Sequence, residues 1–327
     1  MTDTERQHLR EHFLEPETRC DFFVDENRKK LWKCMLDMLE ILDRTCKEHG
    51  LRYFLFYGSL LGAVRHKGFI PWDDDLDIVM PRPDFDRVQK ILEKELEPPY
   101  FLQNFKTDPG FASSYFKIRN SQTAAITPFF VKRHISANLG IFIDIHSVDG
   151  LPNSHFVLKT MEKLRFLLKV AMYTKVRWPI KQASKSDKAF ARLLSIMVGR
   201  AGLHGLTARL SRLYSFGKTE SVGITPAFYG YNPPKHVFPV SWFSEDATSD
   251  FEYLQVSVPK HNNEILAAEY GDWHQFVRGV EGGARHDWMR YDTQKDFKTL
   301  LVEEFGYSRE ELAAIPTSNH SAMVWHS

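Results

Sequence analysis

Three shortages shape the reading of this chain: cysteine, net charge and long apolar runs. Only Cys20, Cys34 and Cys46 are present, all within the first fifty residues. An odd number with no CxxC pair excludes a disulfide framework and a paired-cysteine metal site. Free thiols suit a reducing compartment, so a cytoplasmic location is expected. No apolar run reaches the roughly 18 residues of a membrane span. The longest charge-free stretch, Leu312–Ser327, has 16 residues and contains Pro, Thr, Ser, Asn and His. The start, Met-Thr-Asp-Thr-Glu-Arg-Gln, lacks the basic and apolar regions of a secretory signal. No HExxH and no dinucleotide Gly-x-Gly-x-x-Gly occurs. Gly217-Lys218-Thr219 ends like a phosphate loop, but Arg212 stands where the first glycine belongs.

Net charge is low because two opposite regions cancel. The 327 residues carry 43 basic and 42 acidic side chains. Residues 159–218 hold 14 of the basic and 2 of the acidic ones, a local balance of +12 that leaves −11 elsewhere. In that segment apolar and basic residues mix at helical spacing, as in Leu164, Phe166, Leu167, Leu168, Val170 and Met172. Before it, helical and strand patterns alternate. Glu26–His49 reads as a helix with Leu31, Met35, Met38, Leu39 and Leu42 on one side and Gly50 as its stop. Tyr53–Tyr57 and Leu76–Met80 read as strands, Ser59–Arg65 and Asp84–Leu96 as helices. Further strands are expected at 115–118, 124–127, Ile141–His146 and Phe251–Val258, a loop at Thr225–Pro239 and a helix at His261–Tyr270.

The chemistry concentrates in one stretch. A buried strand ends at Gly58-Ser59 and a helix begins there, presenting free backbone N–H groups to a phosphate. Asp75 and Asp77 alternate with Leu76 and Ile78, so on a strand both carboxylates share one face, about 6.6 Å apart along the chain. Two such carboxylates repel unless protonated or bridged by a cation, and oxygen ligands beside phosphate suit Mg²⁺ or Mn²⁺. A calcium loop counted from Asp73 fails, because its sixth and twelfth places hold Ile78 and Asp84. A third carboxylate, Asp144, lies inside the apolar strand Ile141–His146, sharing a face with Phe142 and His146. Burying it there for packing alone would cost several kcal/mol. His146 itself reads as a satisfied, half-buried histidine. Lys117 and Arg119 share a strand face and suit a diphosphate, one as a point charge and one as a fork. Tyr57, Trp72 and Tyr270 are candidates to line a pocket for a quaternary ammonium.

Gly-Ser, then Asp-x-Asp, then a distant Asp in an apolar strand resembles the nucleotidyltransferase fold of the DNA polymerase beta type. The ungapped string from Gly58 through Arg65, Lys67 and Trp72 to Ile78 closely resembles the LicD family, whose relatives include the fukutin group. Lys117-Ile118-Arg119, Asp144-Ile145, Asp149-Gly150-Leu151-Pro152, Val258-Pro259-Lys260 and Glu269-Tyr270-Gly271-Asp272-Trp273 extend the resemblance to roughly residues 30–275. Ile145-His146-Ser147-Val148 departs from it, where an aromatic and a Pro-Leu pair are expected. The resemblance implies an α/β or α+β enzyme, a mixed sheet flanked by helices. Its expected parts are an N-terminal helical segment (1–50), a catalytic core (51–155), a basic helical insertion (156–224) and a C-terminal part completing the site (225–327). It implies metal-dependent transfer of a phospho-alcohol, most typically phosphocholine from CDP-choline, to a glycan hydroxyl, with release of CMP. Asp75, Asp77 and Asp144 are then the metal and catalytic residues. Gly58, Ser59, Arg65, Lys67, Trp72, Lys117 and Arg119 bind the substrate. Nucleotidyl transfer from an NTP, and an inactive lipid- or glycan-binding scaffold, are the alternatives. No zinc is expected, since no cysteine follows Cys46. The expected partners are a CDP-alcohol, a lipid-linked glycan acceptor and an anionic membrane surface on the cytoplasmic side, not nucleic acid.

Overall fold

The computed structural model describes residues 1–176, 180, 183–225, 236–275 and 290–319. The chain opens with α1 (Asp3–Glu11), the hairpin of β1 (Glu17–Arg19) and β2 (Phe22–Val24), and the long helix α2 (Glu26–His49). α2 begins where the Asp25 carboxylate accepts the Arg28 amide (2.8 Å) and stops at Gly50, whose φ of +61° suits a residue without a side chain. Its apolar stripe, at three- and four-residue spacing, is buried throughout.

Then follow β3 (Phe54–Leu55), α3 (Tyr57–Leu61), a π turn at Gly62–His66, β4 (Asp77–Pro81), α4 (Arg82–Glu95), β5 (Tyr100–Gln103), β6 (Phe116–Asn120), β7 (Ala124–Ile126), α5 (Pro128–Arg133) and β8 (Ile141–Leu151). The strand expected over Tyr53–Tyr57 is cut short because Tyr57 turns to a φ of +46° and opens α3. β8 runs unbroken through Ile145-His146-Ser147-Val148, so the departure from the family pattern falls within a regular strand.

α6 (His155–Lys175) and α7 (Lys185–Ser211) form the basic helical segment, with α7 broken at Gly199 (φ 71°, ψ 174°). β9 (Ser221–Thr225) and β10 (Val237–Pro239) correct the loop expected over Thr225–Pro239 at both its ends; residues 226–235 lie outside the described residues. β11 (Asp246–Phe251) and β12 (Leu254–Pro259) form a hairpin where one strand was expected, turning at Glu252 with a φ of +53°. The remaining elements are α8 (Asn262–Tyr270), β13 (Arg290–Asp292), α9 (Phe297–Phe305) and α10 (Arg309–Ala313). Among the described residues no helix is long and apolar enough to cross a membrane.

β8 organises the α/β core. On one side it pairs in parallel with β4, which pairs antiparallel with β3. On the other side its first half pairs with β6 and its second half with β9, both antiparallel. The apolar face presents Ile141, Ile143, Ile145, Ile78 and Ile118 to the α2 stripe, and together they form the main core. The basic segment has its own core around Phe166, Leu168, Met172, Ala191 and Leu203. It leaves the sheet at Leu151 and returns at Ser221, and those two residues are register partners.

Candidate active site

Strand register assembles the site. The parallel β4–β8 pair sets Asp77 opposite Asp144, and the antiparallel β6–β8 pair sets Lys117 opposite the same Asp144. Paired residues project to one face, so the three side chains form a row across adjacent strands spaced about 4.8 Å apart. Two residues further along β8, His146 projects to that face as well. Ligand atoms of Asp77, Asp144 and His146 lie within 4.8 Å of one another. His146 Nε2 is 3.4 Å from Asp77 Oδ1, and Lys117 Nζ is 2.5 Å from Asp144 Oδ1. Backbone bonds hold the row in place: Phe56 N–H donates to the Asp77 carbonyl and Asp144 N–H to that of Leu76, each at 2.9 Å.

Asp73, Asp74 and Asp75 form an adjoining acidic cluster. The Asp73 carbonyl accepts from Trp32 Nε1 (3.0 Å) and Arg28 Nη1 (2.8 Å), which pins the turn to α2. Gly58 makes room for it, since a Cβ there would stand 2.7 Å from Asp73 Oδ2. Burial pushes the Asp73 carboxyl up to about 7, and the Asp74 and Asp77 charges reinforce the rise. Burial, then Asp73 and Asp77, hold Asp75 well above the ordinary carboxylate range. Asp75 thus belongs to the turn cluster, while Asp77 and Asp144 meet at His146. His146, expected as a satisfied, half-buried residue, instead stands beside both carboxylates, as its period-two place from Asp144 allows. Two carboxylates and an imidazole, beside further crowded carboxylates that favour a cation, form a donor set that could hold a divalent metal ion.

The basic and aromatic candidates divide. Lys117 is buried between the Phe142 ring, 3.3 Å from its centroid, and the Tyr115 ring at 5.4 Å. Burial brings its amine down to about 8, with Asp144 opposing the fall. Arg119, expected on the diphosphate, instead turns inward to the Gln103 side chain and the Gly140 carbonyl. Gln103 in turn donates to buried Asp108 (2.6 Å), so Arg119 ties strands together. The Ser59 hydroxyl oxygen accepts the Asp77 amide (2.9 Å), so it braces β4 from within α3. Trp72, expected against substrate, is buried with its ring edge-on to Phe22. Arg65 donates to the Trp273 carbonyl (3.1 Å), and Lys67 is exposed past the π turn. The Tyr57 ring lies 6.4 Å from that of His146 and 5.9 Å from that of His236, whose Nδ1 is 2.9 Å from Glu269 Oε1. Tyr270 is part-exposed at the end of α8.

The basic segment also reaches the site. The Tyr115 ring lies 4.6 Å from His146, and Ser113 Oγ is 3.1 Å from the Tyr173 hydroxyl of α6. Asp144 raises the pKa of both Tyr115 and Tyr173, after burial. Nothing in the helical spacing of α6 singles out Tyr173, because its role depends on how α6 packs.

Residues 50–163 match the nucleotidyltransferase domain described as LicD/FKTN/FKRP. Lipopolysaccharide cholinephosphotransferase LicD of Haemophilus influenzae is 28% identical over 243 residues, 73% of this chain and 88% of that protein. An uncharacterized protein of Rickettsia prowazekii is 32% identical over 139 residues, 42% of this chain and 46% of its own length. Human ribitol 5-phosphate transferase FKRP is 31% identical over 74 residues, 23% of this chain and 15% of that protein. Asp77, Lys117 and Asp144, set in register on one sheet face, all lie inside the stretch that matches this LicD/FKTN/FKRP nucleotidyltransferase domain.

Proposed function

We propose that this protein transfers a phospho-alcohol from a CDP-alcohol, phosphocholine from CDP-choline first among them, to a glycan hydroxyl. The observation that carries the reading is the row Asp77–Asp144–Lys117, two anions and one cation across three strands, beside His146. A phosphorus centre with an incoming and a leaving oxygen needs both kinds of charge. Asp77, Asp144 and His146 would hold the divalent ion, with Asp75 close behind. Such an ion supplies positive charge to the attacking and leaving oxygens. Lys117 then offers a point charge to the diphosphate, and its fall to about 8 leaves it mostly protonated at neutral pH. Asp144 would complete the metal site or take the acceptor proton through its Oδ2, with Lys117 engaging its Oδ1. Tyr115, buried against His146, would screen this face from water.

Attack on the other phosphorus would move a nucleotide instead, a second reading favoured by the description of the matched domain. The test is incubation of the full chain with Mg²⁺ or Mn²⁺, a glycan acceptor and a panel of CDP-alcohols and NTPs, with released nucleotide read by mass. CMP with a phospho-alcohol on the glycan is the expected result. Pyrophosphate would favour the second reading, and no product from any pair would sink both.

A further inference from the structure

The first half of α7 presents an apolar stripe to solvent. Phe190, Leu193, Ile196 and Met197 are 51%, 56%, 69% and 74% exposed. At about 100° per residue they fall within one third of the helix circumference. Lys185, Lys188 and Arg192, all exposed, run along a single edge of that stripe. The opposite face, with Ala191 and Ser195, packs inward. The one carboxylate of α7, Asp187, accepts from Lys163 of α6 (2.7 Å) and from the Ser184 amide at the helix cap (3.2 Å). Phe156 of α6 is 79% exposed as well.

We propose that this stripe is a membrane-docking surface, and that its occupant is a bilayer carrying anionic headgroups. A narrow apolar band edged by cations lies in a lipid interface, with its side chains among the upper acyl carbons and its cations at the phosphates. The charge is complementary to that occupant. It opposes a second copy set face to face, which would bring two cationic edges together. The segment carries +12 while the rest of the chain is acidic, so an anionic surface attracts this face and repels the others. The purpose rests on the transferase reading: a soluble nucleotide-linked donor meets an acceptor held at a membrane. Tyr173 of the same insertion meets Ser113 beside the site, so the docking element and the carboxylate row are joined by direct packing.

The test uses the full chain and vesicles of phosphatidylcholine, with or without phosphatidylglycerol, at low and high salt. Co-sedimentation with the anionic vesicles, weakened by salt, is expected. Lys185→Gln with Lys188→Gln and Arg192→Gln should weaken partitioning about a hundredfold. Phe190→Ser with Ile196→Ser should abolish it. Both variants change exposed side chains, so circular dichroism and turnover on a soluble acceptor should match the unchanged chain. In Ile196→Trp, brominated acyl chains should quench the added fluorescence. Equal pelleting on neutral and anionic vesicles, pelleting unaffected by either variant, or none at all overturns the proposal. So does a dimer in analytical ultracentrifugation that the serine variant dissociates. Loss of turnover with every donor while vesicle binding persists would overturn the transferase reading and leave the docking surface standing.

Discussion

The sheet face and the basic insertion hold their charges in opposite ways. On the sheet, Asp77, Asp144 and Lys117 are set beside one another by strand register, and Arg82 pairs with fully buried Asp149. In the first half of α7, by contrast, Lys185, Lys188 and Arg192 follow one exposed helix edge. Charges crowded by backbone geometry carry a standing demand for a counter-charge, which a substrate or ion meets. Charges spread over a solvated surface make a field and act collectively. The first arrangement suits chemistry at one point, the second suits attachment to an extended object.

The strongest way to break this contrast is to remove one charge from the row. Asp77→Asn or Asp144→Asn should lower turnover at least about a thousandfold, or roughly 4 kcal/mol of barrier. Asp75→Asn should also abolish turnover by way of the adjoining cluster. Thermal unfolding should show the fold intact, with metal-free Asp75→Asn at least as stable as the parent, because one repelling carboxylate is gone. Near-parental turnover in Asp77→Asn with Mg²⁺ would undo the assignment.

Next in size is the support behind the row. Arg82 meets buried Asp149 through two nitrogens, the Nη2–Oδ2 contact at 2.9 Å. Arg82→Ala leaves that carboxylate buried without its cation and should cost about 3 kcal/mol of stability. Arg212→Ala removes an exposed partner of Asp86 and should cost well under about 1 kcal/mol, which chemical denaturation of the two variants can compare.

A more modest effect than that of Arg82→Ala concerns the insertion and carries a pH signature. His204 of α7 is buried, stacked on Phe105 at 4.0 Å, and burial with nearby Arg200 brings its pKa from the ordinary 6.5 down to about 3. Between those values the unfolded chain binds a proton that the folded chain refuses. Stability contributed by the neutral ring is therefore full above pH 6.5 and is lost as pH falls toward 3. Going from pH 7 to pH 5 should cost about 2 kcal/mol from this group. His204→Phe keeps the stack and should flatten that part of the profile. An identical pH dependence in parent and variant would show that His204 does not carry it.

What was legible in the sequence was mostly local and periodic. The α2 stripe with Gly50 at its end, the Asp-x-Asp alternation and the face shared by Asp144 and His146 all follow from 3.6- and two-residue spacing. Illegible features were those decided by partners distant in the chain. Arg119 looks like a diphosphate ligand until the Gly140 carbonyl and Gln103 are brought to it. Ser59 looks like a free donor until the Asp77 amide reaches it. Trp72 stands in the family string yet is covered by Phe22 of the N-terminal hairpin. β9 sits in a stretch of turn formers, and its strand exists because the second half of β8 offers an open edge.

The pairing of Leu151 with Ser221 has an evolutionary consequence. Everything between them is a detour whose exit and re-entry are neighbours in the sheet, so its length is nearly invisible to the strands. Closing a loop twice as long costs only about 0.6 kcal/mol more. Under the docking proposal the α6–α7 pair is therefore a replaceable module: a different pair of helices could be spliced at the same two residues, directing the protein to another surface. The splice would have to preserve three seams: the approach of the Tyr214 and Ser215 carbonyls to Gly150, the triple hold of Arg200 on the carbonyls of Phe105, Asp108 and Phe111, and the contact of Tyr173 with Ser113.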